Sequence, residues 1–227
     1  MNDFEPLDPA TPCEWSTIRV SGDDASAFLQ GQLTADVQSR ASVTLLLTPA
    51  SAVITAAMLA YEDDAISLTV PSEVVDAALQ RLRRFVLRSK CSFEVASGVR
   101  SGRWATIGDQ VAEGLAGPNE FARELTPHSF GQSFVERHIS FTKGCFTGQE
   151  LVGRLDARGA NVPFRLAQFW SPTAQEAHEL VASFGPSGGS QGLTTVVANT
   201  DGVSGLAIVH RTLGDGEIND VRVHTVA

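Results

Sequence analysis

Strand-like segments separated by short turns dominate the first part of the chain. Alternating or continuous apolar runs bounded by turn-forming residues predict strands at residues 16–20, 43–47, 53–61, 65–70 and 91–95. Helices are predicted at residues 24–30, entered through Ser21-Gly22-Asp23, and at residues 72–87. One antiparallel sheet with both helices on one face, as in ferredoxin-like folds, is the economical packing. The opening part is therefore predicted to be α+β.

The pattern changes after residue 160. Short apolar or alternating runs, separated by turns rich in glycine, asparagine and serine, occupy residues 163–170, 178–184, 192–198, 205–210 and 220–226. Such a series is typical of a small antiparallel β-barrel. We therefore predict an α+β domain over residues 1–160 and a C-terminal β-barrel domain over residues 161–227.

A cysteine lies between two glycines in the segment K-G-C-F-T-G-Q-E at residues 143–150. Residues 138–141 predict a short strand before it, and the spacing of Thr147 and Glu150 fits a capping box that opens a helix. Cys145 would then lie just before a helix N-terminus, where the helix dipole and the Lys143 ammonium both favour thiolate over thiol. This predicts a reactive cysteine. In the alternative interpretation, the glycines shape a turn, Lys143 is solvated and Cys145 is a half-buried filler.

Cysteine usage limits what this thiol can do. Cys13, Cys91 and Cys145 are far apart, with no C-x-x-C motif and no histidine pair nearby, so neither a disulfide framework nor a closed zinc site is predicted. One chain with three cysteines cannot supply four thiolates to an iron–sulfur cluster. Cys145 could still be a transient cluster ligand completed by a small thiol or a second chain, or could carry a persulfide.

Charge argues against general nucleic-acid binding. The 227-residue chain has a net charge of −9, whereas tight nucleic-acid binding depends on many contacts that neutralise phosphates. Five of its seventeen basic residues nevertheless lie within ten positions, namely Arg81, Arg83, Arg84, Arg88 and Lys90. On the predicted helix, Arg81, Arg84 and Arg88 share a face that could hold a carboxylate tail or could be a solvated surface.

The N-terminal segment lacks the basic and apolar regions of a signal peptide, and no apolar run reaches the length of a membrane span. A cytoplasmic protein without membrane association is predicted. The oligomeric state is left open by the sequence.

Several motifs of this chain resemble those of the YgfZ-type folate-binding proteins, relatives of the glycine-cleavage T-protein. The segment at residues 143–150 is similar to the family signature K-G-C-[YF]-x-G-Q-E. Further similar motifs, in the same order as in the family, are G-D-D-A at 22–25, F-L-Q-G-Q-L-T-A-D-V at 28–37, R-F-V-L-R-S-K at 84–90, L-T-P-H at 125–128 and R-G-A-N at 158–161. Together these patches cover most of the chain, which is shorter than its family relatives.

The resemblance implies a protein that binds a tetrahydrofolate-type cofactor and supports assembly or repair of iron–sulfur clusters, and thereby enzymes such as those that modify tRNA. Its partners would be a folate-type small molecule and iron–sulfur assembly or client proteins. Cys145 with Lys143 would be the functional pair. The expected cofactor-binding residues are Gln32, Gly144, Gly148, Gln149, Glu150 and Arg154, and no metal ligands are expected.

Two other functions stay open. The protein could be a folate-dependent aminomethyl or methyl transferase, although the resemblance does not imply a stand-alone aminomethyltransferase. It could also be a non-catalytic interaction module, in which the signature segment serves the architecture alone.

Overall fold

The computed structural model describes residues 5–99 and 103–226, and these form an α+β structure with two five-stranded antiparallel sheets. The strands of the first sheet are β1 (Trp15–Ser21), β2 (Val43–Leu47), β3 (Val53–Tyr61), β4 (Ala65–Pro71) and β5 (Ser92–Val99). They lie in the order β2-β3-β4-β1-β5. The α+β prediction for this part is confirmed, and the β2 and β3 bounds match the predicted ones.

Two helices cover one face of the first sheet. Helix α1 (Ala25–Gln32) and helix α2 (Val75–Arg83) bury apolar residues in one cluster with the inward side chains of β1, β3 and β4. Burial of a Leu or Phe side chain contributes about 1.5–3 kcal/mol, which explains why short helices of eight and nine residues are held here.

Helix α2 is shorter than predicted. A 3₁₀ turn at Ser72–Val74 precedes it, and the chain leaves the helix after Arg83, so the predicted helix over residues 72–87 is wrong at both ends. Phe85 and Val86 turn back to pack on the core, which takes Arg88 off the helix face it was predicted to share with Arg81 and Arg84. The backbone N–H of Lys90 then donates to Asp24 Oδ2 at 2.7 Å, just before the chain enters β5.

The middle of the chain connects the two sheets. It contains α3 (Ile107–Ala112), α4 (Pro118–Phe121), a 3₁₀ turn (Pro127–Phe130), α5 (Gln132–His138) and α6 (Gln149–Asp156). Apolar residues of these helices pack in one core with Leu45 and Leu47 of β2, and with Leu166, Leu206 and Ile208 of the second sheet. The two halves therefore share a core, while the domain boundary between residues 160 and 161 stays a prediction.

The C-terminal part is an open sheet. Its strands are β6 (Phe164–Ser171), β7 (Gly192–Asn199), β8 (Gly202–His210), β9 (Gly216–Ile218) and β10 (Val221–Thr225), in the order β7-β8-β6-β10-β9. Within the described residues no pairing joins β7 to β9, so the predicted barrel does not close. Instead, Leu7 pairs with the free edge of β7 through its backbone, with an N–H···O distance of 2.9 Å to Val196.

A helix replaces one predicted strand of this part. Residues 178–184 fall largely in α7 (Ala174–Ser183), which packs on the sheet through Ala177, Leu180 and Val181. Thr173 begins this helix, because its Oγ1 accepts a hydrogen bond from the N–H of Glu176 at 3.2 Å. The spacing of the three apolar residues is helical, and the strand prediction mistook it for a short apolar run.

No helix of the described chain is both long and apolar enough to cross a membrane.

Candidate functional site

The cysteine segment is an irregular loop between two helices. Helix α5 includes His138, so the predicted strand at residues 138–141 is wrong, and α6 begins at Gln149. The N-cap of α6 is Gly148, with φ of +85° and no side-chain cap, so the predicted capping box is also wrong. The Thr147 hydroxyl donates instead to Gln32 Oε1 at 3.3 Å, away from the helix backbone. We call residues 143–148 the cysteine loop.

Lys143 anchors the first end of the cysteine loop. Its Nζ donates to the carbonyls of Gln30, Leu33 and Ala35, at 2.5, 2.6 and 3.0 Å, and lies 5.3 Å from the Phe146 ring centroid. Burial lowers the pKa of Lys143 to about 8, with Asp36 partly opposing the change. At neutral pH the ammonium therefore still predominates and supplies three donors to the end of α1. Its predicted action on the thiol stays a prediction.

The second end of the loop is fixed by packing and backbone contacts. Phe146 is buried in the core shared by the two halves. The N–H of Thr147 donates to the Gly31 carbonyl at 3.1 Å, and Ser51 Oγ donates to the Gly148 carbonyl at 2.6 Å. Ser51 itself has φ of +69°, a conformation that favours glycine. The turn before β3 thus places the Ser51 hydroxyl where it binds the end of the cysteine loop.

The two glycines of the loop have different structural roles. A Cβ at Gly148 would lie 2.7 Å from the Thr48 carbonyl oxygen, whereas a Cβ at Gly144 would meet no atom within 4 Å. We expect Gly148→Ala to lower the free energy of unfolding by about 1–3 kcal/mol, because strained backbone and a clash combine. Gly144→Ala should change it by less than about 0.5 kcal/mol. Urea unfolding of both variants tests this, and equal losses would contradict it.

Cys145 is exposed between these two anchors. The residue before it, Gly144, has open space where a side chain would lie. Phe141, four positions before Cys145 in the chain, is an exposed apolar residue. Among the free cysteines, Cys13 and Cys91 are partly buried, and burial raises the pKa of both thiols. Cys145 is consequently the thiol that a second molecule reaches most readily.

The structure brings only some of the predicted site residues together. Gln32 contacts the loop through Thr147, and Gly144 and Gly148 belong to it. Gln149 is partly buried at the start of α6, while the side chains of Glu150 and Arg154 are exposed on that helix. No hydrogen bond of these three side chains to the loop is present in the described chain, so their cofactor role stays a prediction.

Arg81 is a residue of this region that the sequence placed on a surface face. Only 7% exposed, it donates from Nε to the Leu47 carbonyl and from Nη1 to Gln32 Oε1, each at 3.0 Å. Its guanidinium carbon lies 4.0 Å from the Phe85 ring centroid. Gln32 Oε1 thus accepts from both Arg81 and Thr147, which connects α2 to the cysteine loop. The helix periodicity alone gave no signal that this arginine points inward.

A separate cleft of about 340 Å³ lies where the middle helices meet the second sheet. Two guanidinium groups, from Arg103 and Arg137, and the rings of Phe134 and His138 contribute to its wall. Those two rings lie 4.4 Å apart. Glu113 is also part of the lining, so the cleft combines two guanidinium groups and one carboxylate with aromatic surface. The sequence did not single it out, because its residues come from five separate segments.

His138 is neutral in this cleft. Its Nδ1–H donates to the Phe134 carbonyl at 2.8 Å, and Nε2 lies 3.3 Å from Arg103 Nη1, which can only donate. These partners define the tautomer with the proton on Nδ1. Burial, reinforced by Arg103 and Arg137 and opposed by the Phe134 carbonyl, lowers the pKa of His138 from 6.5 to about 4.

The low pKa predicts acid sensitivity. As the pH falls from 6.5 to about 4, unfolded His138 takes up a proton that the folded state excludes, so the free energy of unfolding falls. The expected loss over this window is about 3 kcal/mol. The variant His138→Gln cannot take up this proton. Urea unfolding at a series of pH values should show a shallower decline for the variant, and parallel curves would contradict the prediction.

A deeper cavity beside this cleft is nearly closed. It holds only about 10 Å³ and is lined in part by Trp15, Met58, Trp104 and Phe121. The Trp15 and Trp104 rings meet edge to face at 4.9 Å, and Trp15 Nε1 donates to the Trp104 carbonyl at 3.1 Å. A space of this size holds about one water molecule. An aromatic ligand could therefore bind in the outer cleft but not in this inner cavity.

Within residues 5–99 and 103–226, no group of three or more histidine, cysteine or carboxylate side chains is arranged to hold a metal ion. The expectation that the chain has no metal ligands stays a prediction.

Comparisons with known proteins point to one group. No protein-family model matches the chain. An uncharacterised protein of Haemophilus influenzae is 29% identical over an aligned length of 252, covering 90% of this chain and 89% of that protein. The tRNA-modifying protein YgfZ of Vibrio atlanticus is 24% identical over 210 residues, which is 65% of each protein.

A solved structure shares the fold. The glycine cleavage system aminomethyltransferase T of Bartonella henselae matches with a TM-score of 0.61 at 11% identity, over 96% of this chain and 86% of that one. The fold of the aminomethyltransferase and the sequence similarity to YgfZ agree with the family suggested by the cysteine loop. The chain is thus similar in sequence to YgfZ over about two thirds of its length, and it shares its fold with the glycine cleavage system aminomethyltransferase T.

Proposed function

We propose that this protein is a YgfZ-like accessory factor that binds a tetrahydrofolate-type cofactor and supports iron–sulfur cluster assembly or repair through Cys145. The observation that carries the proposal is an exposed thiol on a loop fixed at both ends, by Lys143 on one side and by Phe146 and Gly148 on the other. A fixed, exposed thiol can be presented to a partner without the entropy cost of ordering a mobile loop.

Cys145 acts in this proposal as one temporary ligand of a cluster that is the cargo. Its proton is released to solvent when the thiolate binds iron, and the remaining ligands come from a client protein or a small thiol. The open space at Gly144 gives the cluster room to approach. When a ligand of the client replaces Cys145 on the iron, the thiolate takes a proton back from solvent and the free thiol is restored, so the chain needs no further cysteine.

The 340 Å³ cleft is the place where the folate-type molecule binds in this proposal. Ligand sites span about 300–1,000 Å³ and combine apolar walls with a few polar groups. Arg103 and Arg137 are complementary to the carboxylates of a glutamyl tail, and the Phe134 and His138 rings offer a surface for a flat heterocycle. When bound, the folate would supply one-carbon chemistry. The protein groups in the cleft bind and orient it, and His138 keeps Arg103 in place.

Titration with tetrahydrofolate, followed by calorimetry, tests the proposed cleft. We expect saturable binding that Arg137→Gln weakens by about tenfold, since a charge-assisted hydrogen bond contributes about 1.5–3 kcal/mol. Arg165→Gln is the matched control, because Arg165 is an exposed arginine of β6 outside this cleft. Absence of saturable binding to the wild-type protein, or equal weakening in both variants, would exclude this site.

In this proposal, the link to tRNA modification is indirect and depends on the client enzymes. Iron–sulfur enzymes that modify tRNA would depend on this protein without the protein contacting tRNA. The net charge of −9 supports an indirect role.

A further inference from the structure

The end of α2 and the turn that follows it form an exposed, positively charged surface. We call Arg83, Arg84, Leu87 and Arg88 the basic turn. All four side chains are exposed. The three arginine side chains have no ion pair or hydrogen bond within the described residues, although acidic residues outnumber basic ones by 26 to 17 in this chain. The charge of this surface is therefore available to a second molecule.

The basic turn also contains an exposed apolar residue, Leu87, between Arg84 and Arg88 in the sequence. Leu87 is 89% exposed, the largest value among the exposed large apolar residues of the described chain, while the adjacent Phe85 and Val86 pack on the core. Its neighbour Arg88 is exposed beside it. The basic turn thus offers a single apolar contact surrounded by guanidinium groups. This combination suits a peptide with an apolar residue among carboxylates.

The buried arginine beneath the basic turn also lacks a counterion. Arg81 Nη2 is buried and has no hydrogen-bond partner, and the two acceptors of its other nitrogens are uncharged. Burial lowers the pKa of Arg81, and the positive charge of Arg84 lowers it further. Two neighbouring guanidinium groups without a carboxylate create a positive potential that an external anion would relieve.

Arg81, two residues before the basic turn, connects α2 to the cysteine loop. Arg81 donates to Gln32 Oε1, and Thr147 of the loop donates to the same oxygen, at 3.0 and 3.3 Å. Two hydrogen bonds to the same oxygen therefore connect α2 to Thr147, two positions after Cys145. A partner bound at the basic turn would thus contact the helix that is connected through Gln32 to the cysteine loop.

We propose that the basic turn is a docking surface for an acidic, leucine-containing segment of a partner protein, which brings that partner to Cys145. Carboxylates of the segment pair with Arg84 and Arg88, and its apolar residue packs on Leu87. The docking deepens the proposed function, because it assigns the surface by which a client would be recognised. RNA is the less suitable occupant, since three exposed arginines neutralise few phosphates and Leu87 offers an apolar contact.

Fluorescence anisotropy with a defined probe tests the docking. The probe is a short fluorescein-labelled peptide with a central leucine among glutamates, and the comparison peptides carry glutamine for glutamate or serine for leucine. Saturable binding to the full chain is expected. Arg84→Glu combined with Arg88→Glu should weaken it by about a hundredfold, and Leu87→Ser by about tenfold. Arg165→Glu, a matched exposed charge reversal on the second sheet, should leave it within about twofold.

Each other outcome overturns the proposal. If the acidic peptide does not bind, binds as weakly as its glutamine version, or loses affinity equally in the Arg165→Glu control, the basic turn is not a docking surface. Tighter binding of a single-stranded RNA oligomer, abolished by the same double reversal, would assign the surface to RNA. Cys145→Ser should bind the peptide like the wild type, so a failure of the thiol function would be seen separately.

Discussion

Replacement of Cys145 by serine is expected to reduce iron–sulfur enzyme activity in the host to the level of a strain that lacks this protein. The thiol is exposed and makes no contact that holds the loop, so the variant should fold with a change in unfolding free energy of less than about 0.5 kcal/mol. A serine oxygen does not replace thiolate as a ligand to iron. Activities of several iron–sulfur enzymes in a complemented deletion strain provide the measurement.

The other two cysteines are matched controls for this experiment. Cys13 and Cys91 are partly buried and lie outside the cysteine loop. Serine at either position should retain the complementing activity. Full complementation by Cys145→Ser would remove the thiol from the mechanism and leave the protein as an interaction module. Equal loss in all three variants would indicate a general effect on folding.

Replacement of Lys143 by methionine is expected to produce the largest loss of stability among the loop variants. The carbonyls of Gln30, Leu33 and Ala35 lose a common donor, and only partial access of water can compensate them. An unsatisfied buried polar group costs about 1–3 kcal/mol, so a total loss of about 2–4 kcal/mol is expected for three carbonyls that are partly rehydrated. The midpoint of urea unfolding measures this change.

A second readout separates local from global effects. Without Lys143 the loop loses its first anchor and keeps only the contacts of Thr147 with α1, so the amide of Thr147 should exchange with solvent faster in Lys143→Met than in the wild type. Lys90→Met is the control, because Lys90 makes one exposed ion pair with Asp23 at 3.6 Å. Such pairs contribute about 0–1 kcal/mol. A loss in Lys143→Met no larger than in this control would contradict the role of Lys143 as an anchor.

The sequence was most informative where local pattern and final burial agree. Strands β2 and β3 were predicted with their observed bounds, because short apolar runs bounded by turn-forming residues are typical of buried strands. The cysteine loop was recognised as unusual from its glycines and its thiol. Of the two glycines in the loop, the structure requires glycine at Gly148 and not at Gly144. The reason is that the carbonyl oxygen of Thr48, in the turn before β3, lies too close to Gly148 for a side chain.

The failures come from contacts between distant segments. Thr147 was predicted to cap α6, but Gln32 offers its hydroxyl a partner from another helix. The C-terminal strands were predicted to close a barrel, but α7 covers the sheet and Leu7 occupies an edge. Arg81 was predicted to face outward, but the Leu47 carbonyl and Gln32 draw it inside. In each case the observed conformation depends on a hydrogen-bond acceptor or a packing surface from a distant segment, and the hydrophobic periodicity of the local sequence gives no information about it.

Short-range pattern and the cysteine motif were enough to predict the α+β class, most strands of the first sheet, the resemblance to YgfZ-type proteins and the candidate thiol. The tertiary structure alone decided that Lys143 binds the end of α1, that Cys145 is exposed, and that Arg103, Arg137 and His138 meet in one cleft. These features require side chains from separate segments to share burial and hydrogen bonds, and only the packed chain brings them together.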